Sequence, residues 1–264
     1  MRVFVESVGI LAPGLAGWAA SRAVLAGTAP YRAAELSLPN PDVLPAVERR
    51  RTGAPVKLAI AVGQDALAGS ARSGAELPTV FTSSGSDGEV IQEICVTLAG
   101  TERQVSPTRF HNSVHNAPSG YWGIAMRSRA LSTSLCAFDW SFAAGLIEAA
   151  TQIGVTGDAV LLIAYDLPYP EPLRSARPVS ALFGAALLLT RDRDSRSIAG
   201  LELALSRDRG RTSRLDDAGL ESLRRENPGA RGLPLLAALA RRRPDEVVLE
   251  YVAGNAIDVA VSPC

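Results

Sequence analysis

Three observations predict an α/β fold. Strand-like and helix-like segments alternate through the first two-thirds of the chain. Residues 159–165, AVLLIAY, form a continuous apolar run, the pattern of a strand buried on both faces beneath helices. Residues 131–138 read as a strand that leads, through Asp139 as helix cap, into a small-residue helix over 141–153.

The other elements follow in order. Residues 2–10 alternate apolar and polar residues and are rich in Val, which predicts a strand. A turn at Pro13-Gly14 precedes a helix over 15–27. The Pro-rich stretch 28–54 reads as loop with room for one short helix. Residues 56–69 carry apolar side chains on more than one helical face, so this helix should be largely buried. Residues 78–83 predict a short strand, and the turn Ser83-Ser84-Gly85-Ser86-Asp87-Gly88 should cap a helix over 88–99. A further helix is expected over 114–127. Residues 167–178 are a loop broken by Pro168, Pro170, Pro172 and Pro178. Residues 182–189 and 198–206 read as two strands of a hairpin around RDRDSRS. Residues 207–230 are charged and poorly periodic, 233–240 form a short helix, and 247–251 with 256–261 make a closing hairpin.

Composition narrows the function. The 264 residues are 47% hydrophobic and 20% charged, which suits a globular protein with a sizeable core. Basic and acidic residues balance at 27 each, so no global field recruits nucleic acid or an anionic membrane. Cys95, Cys136 and Cys264 are widely spaced; they suggest neither a disulfide framework nor zinc, and fit a reducing cytoplasm. The N-terminus resembles a signal peptide superficially, but Glu6 interrupts its apolar stretch. No apolar run is long enough to predict a membrane span.

Several candidate sites are weak. His111 and His115 stand at i and i+4, a spacing that suits metal binding on a helix, but no third ligand is near in sequence, so no metal or other cofactor is expected. Asn112 and Asn116 are expected to satisfy backbone groups around a turn. Asp139-Trp140-Ser141 lacks the glycines of a hydrolase elbow. The serine-rich turn at 83–88 lacks the Gly-Lys-Ser ending of a phosphate loop. Arg49-Arg50-Arg51 reads as a turn with one or two salt bridges, with docking of an acidic partner as the alternative. Arg241-Arg242-Arg243 reads as a solvated helix end.

Five stretches in order resemble the β-ketoacyl synthases: VFVESVGILAPG, ERRRTGAPVKLAIAVGQDAL, SPTRFHNSVHNAPSGYWGIA with Asn116 and Gly120, STSLCAFDWSFAAGLIEAATQIGVTGDAVLLIAYD, and SALFGAALLLT. The resemblance covers residues 1–190. It implies a thiolase-like fold with a truncated second half: a single domain over 1–264, with the nucleophile elbow in 1–166 and a shortened half over 167–264. Ser132-Thr133-Ser134 through Asp139, and Ser141 to Leu146, resemble most the chain-length-factor-like proteins of aryl polyene pathways. The resemblance implies an active ketosynthase as partner in a heterodimer, or self-pairing as a homodimer, with acyl carrier protein reached through the complex.

A condensing enzyme needs a thiolate at a buried helix N-terminus, where dipole and backbone N–H groups lower its pKa and hold the oxyanion. The family places this nucleophile about eighteen residues before the Asp of a Gly-Asp turn, which here is Asp158. That position is Trp140, and indole cannot carry a thioester. The elbow or pocket residues by this register are Asp139, Trp140, Ser141 and Phe142. Cys136 is the rival nucleophile, expected as a small buried strand residue. The decarboxylating histidines of the family come from its second half, and no histidine follows His115 here. The expected function is therefore a non-catalytic ketosynthase-like subunit. The alternatives are a condensing or acyl-transfer enzyme using Cys136, and a homodimeric acyl-binding protein.

Overall fold

The computed structural model describes residues 1–101, 103–207 and 210–264. Its strands are β1 (Arg2–Ala12), β2 (Leu15–Ala16), β3 (Thr79–Thr82), β4 (Ser132–Leu135), β5 (Ala159–Asp166), β6 (Phe183–Thr190), β7 (Ala199–Arg207), β8 (Asp245–Tyr251) and β9 (Asn255–Pro263). Its helices are α1 (Trp18–Leu25), α2 (Ala46–Arg49), α3 (Ala54–Ala68), α4 (Gly88–Ala99), α5 (Pro107–Asn112), α6 (Ala117–Met126), α7 (Ser141–Thr156), α8 (Leu173–Ala176), α9 (Ala218–Glu226) and α10 (Leu233–Arg241).

The strands join in the order β4-β3-β5-β6-β1-β7-β9-β8, with β2 paired to the end of β1. β3 lies parallel to both β4 and β5, and every other pairing is antiparallel. Period-two alternation divides the core. Val160, Leu162 and Ala164 of β5 point to a cluster built with Phe142, Leu146 and Ile153 of α7 and with α10. Leu161, Ile163 and Tyr165 point the other way, to Leu58 and Val62 of α3 and Trp122 of α6. β5 is buried along its whole length, as its unbroken apolar sequence predicts.

After β6 the described chain supplies three antiparallel strands and two helices of eight or more residues, not a second parallel βαβ sheet. Leu201, Leu203, Leu249 and Val259 of β7, β8 and β9 close over α10, so α7 and α10 lie between two parts of the sheet. The outer face of β7, β9 and β8, with Glu202, Glu246, Asp258 and Ala260, lines an open groove.

Three expectations need correction. β6 and β7 are not a hairpin: β1 lies between them, pairing Phe4–Leu11 with β6 and Arg2–Val5 with β7. The segment 191–198 joins β6 to β7 across β1, whose Val3, Val5, Val8 and Ile10 are buried in the core. The charged segment after 207 contains α9, capped by Asp217, whose carboxylate accepts from the backbone of Gly219 and Leu220; residues 208 and 209 of that segment lie outside the described residues. The strand expected over 131–138 stops at Leu135. Among the described residues, no helix is long and apolar enough to cross a membrane.

Candidate functional site at the N-terminus of α7

The site begins where β4 leaves the sheet. Phe81 and Thr82 of β3 pair with Ser134 and Leu135, beyond which Cys136 and Ala137 leave the sheet and lead into a single 3-10 turn, Phe138–Trp140. Ser141 staples this turn. Its Oγ donates to the Phe138 carbonyl at 2.7 Å and accepts from the Ala137 N–H at 3.1 Å. The Thr82 hydroxyl donates to the Ser141 carbonyl at 2.7 Å, which ties the start of α7 to the sheet. Phe138 adopts φ 53°, a left-handed conformation that few side chains other than Asn and Asp enter readily.

Trp140 is the N-cap residue of α7 and is half-buried. Asp139 was expected to cap this helix and does not. It sits one residue too early, and its carboxylate receives Arg177 at 2.8 Å and Arg231 at 3.2 Å. Arg231 also pairs with Glu250 of β8, which lies 3.9 Å from Arg224, itself bound to Glu221 at 2.7 Å. A chain of alternating charges thus links the elbow to β8 and α9. Phe142 is buried against the turn before α10. A Cβ on Gly232 would stand 2.4 Å from its ring, so only glycine fits there.

Cys136 is exposed, not a buried strand residue. It lies beyond the last paired residue of β4, where its Sγ donates to the Ser84 carbonyl at 3.2 Å. Four residues separate it from the helix N-terminus, so it does not occupy the oxyanion-holding position. His111 and His115 do not share a helix face, because α5 ends at Asn112. His111 meets Tyr121 edge-on, and His115 Nε2 lies 3.0 Å from the Ser83 carbonyl. Asn112 donates to the Arg51 carbonyl, as its expected backbone-satisfying role requires, whereas Asn116 precedes α6 without a side-chain cap. No cluster of three metal ligands exists among the described residues.

The turn at 83–88 does what a capping turn should: Asp87 accepts from the Val90 N–H at 3.0 Å at the start of α4. It also does something the sequence did not disclose. Asp166, buried at the end of β5, accepts from the Ser84 N–H at 2.8 Å, the Ser84 hydroxyl at 2.7 Å and the Ser83 hydroxyl at 3.2 Å, all on Oδ1. Oδ2 has no hydrogen-bond partner among the described residues. Burial raises its pKa to about 6, against the opposing pull of these donors and of Arg177. The signal available in sequence was a lone acid closing an apolar strand. Arg49 and Arg51 form the expected local pairs, with Asp42 and Glu48.

Comparison with known proteins places this geometry. Residues 18–243 match the family model of the β-ketoacyl synthase N-terminal domain. No curated protein matches. Among similar solved structures is a ketosynthase in complex with its chain length factor from Xenorhabdus doucetiae, at 22% identity and TM-score 0.73 over 98% of this chain and 99% of that one. The ishigamide ketosynthase/chain length factor is similar at 12% identity and TM-score 0.76, over 99% of each chain. A type II polyketide synthase acyl-carrier protein in complex with its hexaketide-bound ketosynthase matches at 12% identity and TM-score 0.77, over 100% of this chain and 99% of that one. The fold is thiolase-like. The chain belongs to the β-ketoacyl synthase family.

Proposed function

We propose that this chain is a non-catalytic, chain-length-factor-like subunit. It pairs with an active β-ketoacyl-ACP synthase in aryl polyene or related fatty acid or polyketide-type biosynthesis, and meets acyl carrier protein through that complex. One observation carries the reading: the N-cap of α7, where a condensing enzyme of this family holds its nucleophile, is Trp140. The indole takes the place of thiol and substrate at the helix N-terminus and contributes apolar bulk there instead.

The surface supports a pairing role. β4 has β3 as its one strand neighbour among the described residues, which leaves a row of backbone donors and acceptors open. Exposed Leu131 and Phe138 bracket that edge. No residue of α4 is buried despite Ile91, Val96 and Leu98, and Phe110 of α5 is 69% exposed. We treat residues 1–264 as one thiolase-like domain, with the elbow in 1–166 and the shortened half in 167–264, acting in the cytoplasm.

The test is to express the tagged chain singly with each β-ketoacyl synthase of its source organism, purify, and assay malonyl-dependent condensation. A stable heterodimer with activity that needs both chains is expected. Trp140→Phe and Trp140→Leu should leave complex yield unchanged and shift product length. Intact-mass analysis after incubating the chain alone with acyl carrier protein thioesters should show no adduct. A stoichiometric acyl group on Cys136, or a monomer indifferent to every ketosynthase, overturns the proposal.

A further inference from the structure

Phe138 is an anomaly. A large aromatic residue that is 51% exposed stands in a left-handed backbone conformation, φ 53°, at the end of an open sheet edge. Exposure of a ring gives up the burial that normally stabilises it, and the backbone adds steric cost. Contacts among the described residues cover only about half of the side chain.

The ring is nonetheless held firmly. The Arg177 guanidinium stacks 3.7 Å from its centroid. That guanidinium is itself fixed by Asp139 at 2.8 Å and by the Tyr169 ring at 5.6 Å. From below, Ser141 locks the Phe138 carbonyl. Trp140 flanks it with ring centroids 6.3 Å apart. The result is a rigid apolar knob whose adjacent cation is already neutralised. Pre-organised aromatic and arginine residues of this kind dominate binding energy where they enter a partner's pocket.

We propose that Phe138, braced by Arg177, is the anchor by which this chain grips its ketosynthase partner, its ring seated in an apolar pocket of that subunit. This rests on the pairing proposed above. The occupant follows from position: Phe138 lies three residues past Leu135, the last paired residue of β4, so a partner strand added to that edge passes directly beside the ring. Charge supports an apolar pocket over an acidic one, because Asp139 already satisfies Arg177.

The experiment compares the wild-type chain with Phe138→Gly and Phe138→Ala, each titrated against the ketosynthase that co-purifies with the wild type, with thermal melts of each free chain. Both variants should bind at least about 30-fold more weakly, the loss typical of an interface hot spot. Phe138→Gly should melt no lower than Phe138→Ala, because glycine enters the left-handed region without strain. Binding of either folded variant within threefold of wild type overturns the anchor and leaves the pairing intact. Failure of the wild type to capture any ketosynthase overturns the pairing itself, and the anchor with it.

Discussion

Replacing Asp166 with asparagine should favour the variant over wild type increasingly as pH rises. The buried carboxyl has its proton affinity raised from a pKa of 3.8 to about 6, chiefly by desolvation. The folded chain therefore binds this proton more tightly than the unfolded chain, and stability contributed by the group is complete below pH 4 and lost as pH rises through 6. At about 1.4 kcal/mol for each tenfold change in affinity, the ionised carboxylate costs the fold about 3 kcal/mol above that window. Asp166→Asn keeps an acceptor for Ser83 and Ser84 on Oδ1 and places a neutral amide nitrogen where Oδ2 now has no partner. Urea unfolding of both proteins from pH 4 to 8, with the two curves subtracted, isolates this one group. The stability of the variant relative to wild type should rise by about 3 kcal/mol between pH 4 and pH 7.5. A difference that stays constant across the range, or wild type gaining on the variant as pH rises, refutes the reasoning.

Two further outcomes test the elbow. Gly232→Ala drives a Cβ to 2.4 Å from the Phe142 ring and should cost about 1–3 kcal/mol in chemical denaturation through overpacking; a neutral result would mean that the turn before α10 yields to the added methyl. Asp139→Ala removes the carboxylate shared by Arg177 and Arg231, both partly buried, and should cost about 1–2 kcal/mol, between the values for exposed and buried pairs. It should also increase hydrogen exchange over 136–141, and protected amides there would count against the network's bracing role.

Much of this protein was determined locally. The unbroken apolar run of β5, the two-faced apolar pattern of α3 and the small residues of α7 each specify their element, because burial and helix geometry act over a few residues. The register that puts Trp140 at the start of α7 came through the resemblance to the β-ketoacyl synthases, whose nucleophile stands about eighteen residues before the Asp of a Gly-Asp turn, here Asp158. What only tertiary structure decided was partnership between distant residues. The sequence pattern of β6 and β7 looks like a hairpin, and only the insertion of β1, from the far end of the chain, separates them. Asp139 has the composition of a cap, yet its carboxylate goes to Arg177 and Arg231, 38 and 92 residues away. Asp166 has its pKa raised by burial, against donors on a turn that precedes it by 82 residues. Periodicity and capping report energies that neighbouring residues exchange, whereas strand order, ion-pair choice and desolvation depend on which remote groups the fold brings together, and that information is not local to any stretch of sequence.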